Sequence, residues 1–213
     1  MSENGNYFCV ENEFSNTIVI NKSTFITTLV GIESLDDAQK KLKIIAKKYS
    51  DATHNCYAVI ANELGSEQKC SDNGEPQGTA GAPMLDVLKK KNIRMTLAVV
   101  TRYFGGIKLG ANGLVGAYSS SVAMAVDKAN VIEKKLSYII EFDGEYGYYR
   151  NLVDKIESLG GQTIDIEFCD KVNIRMQIPV SQLQLAQENL TELSLGKTTV
   201  TTSDKKYCAY KLK

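Results

Sequence analysis

Apolar positions in this chain switch between a two-residue and a 3.6-residue repeat, and each switch marks an element boundary. From Thr17 to Gly31 the runs TIVI and FITTLV are rich in β-branched residues and meet at Asn21-Lys22-Ser23, which predicts a hairpin. Ser34 stands three residues before Asp37, and Leu35, Ala38, Leu42, Ile45 and Ala46 follow at helical spacing, so a capped helix is expected to about Tyr49. HNCYAVIAN then reads as a strand. The stretch from Glu63 to Gly81 has no sustained period and predicts a long loop. Pro83 fits the first turn of a helix that turns Met84, Leu85 and Leu88 inward and ends on Lys89-Lys90-Lys91. MTLAVVTRYF is apolar on both faces, as a central strand must be. Gly105-Gly106 break it, Asn112 is read as a helix cap, and Leu114, Val115, Tyr118, Val122, Ala125, Val126 and Ala129 form the buried stripe that follows. A short strand near Val131-Ile132 and the charged Glu133-Lys134-Lys135 close a first domain, residues 1–135.

Residues 136–213 repeat the alternation in a different order. SYIIEFDG reads as a strand; Tyr149, Leu152, Val153, Ile156 and Leu159 form one helical stripe that Gly160-Gly161 stops. QTIDIEFCD and NIRMQIPV alternate around a turn at Asp170-Lys171, with Ile164, Ile166, Phe168, Ile174, Met176, Ile178 and Val180 inward. A helix from about Ser181 aligns Leu183, Ala186, Leu190 and Leu193, and KTTVTTSDKKY supplies one last strand. The order β-α-β-β-α-β is that of a ferredoxin-like sandwich, and the whole chain is predicted to be α+β with two domains. The open face of that second sheet would carry Thr163, Asp165, Glu167, Asn173, Arg175 and Gln177. It lacks the aromatic residues on which RNA-recognition sheets of this topology stack bases.

Composition narrows the function classes. Lys+Arg and Asp+Glu each number 25 in 213 residues, so no global charge points to nucleic acid or an anionic membrane, and any phosphate binding must be local. Five cysteines form no C-x-x-C and leave one unpaired in any intramolecular scheme, which favours reduced thiols. The start MSENGNYF lacks the basic and apolar regions of a secretory signal, and no run approaches the roughly 20 apolar residues of a membrane span. A cytoplasmic location and no membrane partner are expected.

The candidate chemistry sits in two loops, SDNGEPQGTAGAPM from Ser71 and RYFGGIKLGANGLVGAYSS from Arg102. Each leads into a helix N-terminus, whose unpaired N–H groups and dipole favour an anion. The expected binding residues are Arg102, Tyr103, Gly105, Gly106, Lys108, Gly110, Asn112 and Gly113 from the second loop, Asp72, Glu75 and Thr79 from the first, and His54. A small phosphate or carboxylate at the Gly113 helix N-terminus is one reading; the other is that the glycines only solve tight strand-to-helix turns. Arg102 and Lys108 bracket the Gly105-Gly106 turn and are expected at the surface, where losing their charge would affect binding more than folding. Gly105 and Gly110 have P-loop spacing, but Ala111-Asn112 replace the Lys and Ser/Thr that would meet phosphate and magnesium, and G-x-G-x-x-G also fails. His54 and Cys56 share a strand face, as a nucleophile pair or as a buried thiol beside a hydrogen-bonded imidazole. Asp72 and Glu75 flank Asn73-Gly74, which is first a turn signal. No metal-ligand spacing, complete catalytic set or cofactor fingerprint is present.

At these loops the sequence resembles the YigZ/IMPACT family, through DATHNCYA at Asp51–Ala58, SDNGEPQGTAGAPML at Ser71–Leu85, and VVTRYFGGIKLG at Val99–Gly110 followed by GLVGAYS. The resemblance implies a first domain with the fold shared by elongation factor G domain IV and the GHMP kinases, and a ferredoxin-like second domain similar to elongation factor G domain V. It also implies a role near translation, since eukaryotic relatives compete for an activator of a translation-factor kinase. RNA, the ribosome or a translation-regulating protein are the partners it suggests. An enzyme acting on a small phosphorylated or carboxylated metabolite is the alternative.

Overall fold

The computed structural model describes residues 5–210, which divide into two compact bodies, 7–133 and 5–6 with 134–210. No helix among the described residues is long and apolar enough to cross a membrane.

The first body opens with β1 (Tyr7–Val10), then β2 (Phe14–Ile20) and β3 (Ser23–Gly31). Asn21 and Lys22 both have positive φ, the two-residue turn whose twist matches a tight hairpin. Helix α1 (Leu35–Lys48) is capped as its sequence predicts, with Ser34 Oγ accepting from the Asp37 N–H. Next come β4 (His54–Ile60), β5 (Gln68–Ser71), α2 (Gly81–Lys90), β6 (Thr96–Tyr103) and α3 (Gly110–Lys128). The sheet order is β2-β3-β6-β4-β5, antiparallel throughout, and β6 lies at its centre. One face packs Phe25, Leu29, Cys56, Ala98 and Val100 beneath α2 and α3; the other packs Val59, Leu97 and Val99 beneath Ala38 and Ile45 of α1. Helices on both faces explain why Leu97, Ala98, Val99 and Val100 of β6 form an unbroken apolar run.

Three expectations change here. The stretch from Glu63 to Gly81 is not all loop, because Gln68–Ser71 pairs with β4 as an edge strand. Its half-polar sequence QKCS gives no alternation, and pairing on one side only is what holds it in the sheet. Helix α3 begins at Gly110 with Leu109 as its cap residue, so Asn112 is a helical position rather than the cap and Gly113 is the fourth residue of the helix. Finally, β7 (Val131–Gly144) is one continuous strand where a short strand and a separate one are expected; Glu133-Lys134-Lys135 do not interrupt it.

The second body continues from β7 into α4 (Tyr149–Ser158), β8 (Gln162–Phe168), β9 (Val172–Pro179), a 3-10 turn at Val180–Gln182, α5 (Leu183–Leu193), β10 (Val200–Thr202) and β11 (Lys206–Tyr210). Its antiparallel order β10-β7-β9-β8 places Ile140, Phe142, Ile174, Met176 and Ile178 against Leu152, Ile156, Ala186 and Leu190. The alternation is kept on β9 and lost on β8. A register shift between Thr163 and Asp165 leaves Ile164 exposed at the irregularity, and Phe168 is exposed beside Tyr146 and Tyr149. Val180 falls in the 3-10 turn and Leu193 at the end of α5, both outward. The final strand is split in two by Ser203–Lys205, both halves pairing with β7.

Candidate functional site

The site grows from the end of β6. Arg102 pairs across to Phe25 on β3 and to His54 on β4, so its side chain enters the layer between the sheet and α3. It is only 5% exposed, which corrects the surface position expected for it; Lys108 is exposed as expected. The guanidinium lies between two rings, 5.4 Å from the Phe25 centroid and 5.5 Å from that of Phe104. Its Nη1 donates to Glu75 Oε1 at 2.7 Å, and Nη2 donates to Ser23 Oγ at 3.3 Å. The Nε–H is buried without a hydrogen-bond partner. Glu75, 8% exposed, arrives on the turn at Asn73-Gly74, where both residues have positive φ and the Glu75 N–H donates to the Asp72 carbonyl.

A relay of polar groups runs behind this pair. Tyr118 of α3 donates from its hydroxyl to Glu75 Oε1 at 2.7 Å. Cys56 Sγ lies 3.4 Å from that hydroxyl and 2.8 Å from the Asp72 carbonyl. Burial first, with Glu75 and Asp72 nearby, pushes the Cys56 thiol up to about 12. Burial, followed by Cys56 and Glu75, likewise raises the Tyr118 phenol. The thiol is therefore neutral and enclosed, a poor nucleophile. The Asp72 carboxylate accepts from the backbone N–H groups of Gly78, Ala80 and Gly81, at 2.8, 2.9 and 2.8 Å. It thereby serves as the acceptor that the α2 N-terminus lacks at its cap residue, Ala80.

In front of the pair lies a cleft of about 470 Å³, lined by His54, Glu75, Arg102, Phe104, Lys108 and Gly110 among others. His54 Nδ1 is 2.9 Å from the Asn73 carbonyl and so must donate its hydrogen there; Nε2 faces Glu75 Oε2 at 3.9 Å. The α3 N-terminus has no side-chain cap and no acidic residue in its first turn. Gly110 opens the helix at φ +70, and Gly105 has its own constraint: a Cβ there would lie 1.9 Å from the Lys22 carbonyl oxygen. The hairpin turn thus seats the Gly105-Gly106 loop by backbone contact.

Of the residues picked from sequence, His54, Glu75, Arg102, Lys108 and Gly110 meet in this one cleft. Asp72 caps α2, Thr79 Oγ1 donates to the Pro76 carbonyl within its own turn, and the Tyr103 hydroxyl donates to Asp51 Oδ1. Asn112 and Gly113 do not line the cleft, and Gly106 supplies a positive-φ turn. Lys91 pairs with Asp127 in the last turns of α3, at the far end of that helix from Gly110, so the lysine triplet does not join the site. Sequence reasoning missed Tyr118 and Phe104. The signal for Tyr118 was available: a phenol in a buried helical stripe needs a partner for its hydroxyl. Among the described residues, no three His, Cys, Asp or Glu side chains group so as to hold a metal ion.

Fold and cleft define a two-body α+β protein whose first body carries a buried Arg–Glu pair under the mouth of a long helix. The chain belongs to the IMPACT family: residues 21–126 match the Impact N-terminal domain, and long relatives match nearly end to end. It is similar to IMPACT family member YvyE of Bacillus subtilis (strain 168), with 38% identity over 91% of this chain and 89% of that one. It is 31% identical to IMPACT family member YigZ of Escherichia coli (strain K12), over 83% and 88% of the two chains. The Danio rerio Protein IMPACT matches over 44% of this chain and 31% of its own length, at 37% identity. A crystal structure of a hypothetical protein covers 93% of this chain and 98% of its own at a TM-score of 0.58 and 27% identity.

Proposed function

We propose that this is a cytoplasmic binding protein that acts on translation by holding an anionic group of RNA, of the ribosome or of a regulatory protein at the α3 N-terminus, without performing chemistry there. The observation that carries the reading is how the buried polar groups are engaged: Glu75 Oε1 takes both Arg102 and Tyr118, and Cys56 is a neutral thiol behind them. Such a relay braces a surface; what faces outward is Lys108 and the uncapped helix end, which attract an anion. Family membership, and the resemblance of its loops to proteins that work near translation, support the choice of partner. The order β10-β7-β9-β8 supports a ferredoxin-like second domain, and the matched segment supports an elongation factor G domain IV-like first one.

Co-sedimentation with ribosomes over a salt series tests this, because phosphate contacts weaken steeply as salt rises. Retention at low salt that falls away with added salt is expected; no retention at any salt would remove the reading. The size of the cleft favours a second reading, an enzyme of small phosphorylated or carboxylated metabolites, since small-molecule sites span about 300–1,000 Å³. A thermal-shift panel of nucleotides and sugar phosphates separates the two.

A further inference from the structure

The lining of the cleft combines two opposite chemistries. The cationic one comes from the exposed Lys108, which precedes an uncapped 19-residue helix, and from the buried Arg102, which lines the cleft and keeps an unpartnered Nε–H. A buried N–H without an acceptor is costly, which makes a ligand oxygen its natural partner. The same lining holds two acceptors. Glu75 Oε1 is used by Arg102 and Tyr118, while Oε2 is left with His54 Nε2 at 3.9 Å, too far for a direct hydrogen bond. In the tautomer that donates from Nδ1 to the Asn73 carbonyl, His54 Nε2 is also an acceptor. Hydroxyl or amine hydrogens suit these two acceptors and a phosphate does not. Phe104 is 46% exposed, and with Pro76, Leu109 and Leu114 it supplies the apolar part of the lining.

We infer that the cleft takes a ribonucleotide unit: phosphate at Lys108 and the α3 N-terminus, ribose hydroxyl hydrogens on Glu75 Oε2 and His54 Nε2, base against Phe104. This rests on the anion-binding reading above and deepens it by adding selection for the 2′-hydroxyl, the group that separates RNA from DNA. The same unit occurs in a single-stranded RNA and in a free mononucleotide, and either source satisfies the chemistry.

Fluorescence anisotropy with labelled oligo-uridine and oligo-deoxyuridine octamers, which differ only at the 2′ position, tests it on the full chain. A hydrogen bond to a charged acceptor predicts at least about tenfold tighter binding of the ribo-octamer. Lys108→Ala and Phe104→Ala, both exposed positions outside the buried pair, should weaken both octamers, with Lys108→Ala also flattening the salt dependence. His54→Ala should bring the ribo-to-deoxy ratio toward one. Uridine monophosphate binding with no octamer binding would assign the cleft to free nucleotides, and the reverse to RNA strands. Equal affinity for the two octamers would overturn the inference, as would a protein that sediments with ribosomes but binds neither octamer nor uridine monophosphate. Only failure of ribosome retention as well would take the anion-binding reading with it.

Discussion

Replacing Arg102 by Met removes one partner of an ion pair whose side chains are 6% and 3% exposed, while keeping a long apolar stem between Phe25 and Phe104. Glu75 is left in the same place with only Tyr118 donating to Oε1. Breaking a buried pair from one side typically costs about 3–5 kcal/mol, because the remaining charge has lost its compensation. That would be a large fraction of the roughly 5–15 kcal/mol that holds a domain folded. The double variant Arg102→Met, Glu75→Gln removes both charges and leaves an acceptor for Tyr118, so it should recover at least about 2 kcal/mol of the summed single losses. Alkylation of Cys56, read by peptide mass spectrometry along a urea series, reports this body alone, because that thiol is fully buried in it. If Arg102→Met stayed within about 1 kcal/mol of the parent, or the two changes were additive, the pair would not be the brace described here.

Other expectations follow from the same contacts. Gly105→Ala sets a Cβ against the Lys22 carbonyl at 1.9 Å, so the loop or the hairpin turn must shift; loss of the soluble native fraction or a sharply lower Tm is expected, and an unchanged Tm would contradict the contact. Burial raises the Asp72 carboxyl, but the N–H groups of Gly78, Gly81 and Ala80 outweigh it and hold the group below its ordinary 3.8. Its contribution is therefore present above the unfolded value and lost as pH falls through the folded one; Asp72→Ala should flatten that acid limb in pH-dependent melts and cost about 1–3 kcal/mol at neutral pH. Ellman titration of the native chain at pH 8 should find Cys70 and Cys169 reacting first, with Cys56 silent until denaturant is added.

How much the sequence reveals depends on whether one strip of chain carries the whole cause. Helix α1 is legible because its cap, its stripe and its terminal lysines are all local to residues 34–48. Strand β6 is legible because burial on both faces makes Leu97, Ala98, Val99 and Val100 an unbroken apolar run. Strand β5 is not, since QKCS is held by pairing with β4 rather than by its own pattern, and the irregularity that turns Ile164 outward depends on register against β9. The site divides in the same way. Gly-rich loops announce where backbone must turn, and His54, Glu75, Arg102 and Lys108 are adjacent to such turns. That Arg102 is buried, and that Glu75 is its partner rather than a turn residue alone, comes from residues 27 positions apart meeting under a helix that supplies Tyr118.

The chain of contacts from Cys56 through Tyr118, Glu75 and Arg102 to Ser23 also bears on how this surface evolves. Each member's partner is another member, so a change at one strands its neighbour, and drift through the cluster requires paired substitutions with an unfit intermediate between them. Ile107 and Lys108 sit on the loop after β6 but are exposed and outside the cluster, and each is free to change alone. A lineage can therefore retune what the cleft prefers, one exposed position at a time, over a foundation that is difficult to rewrite.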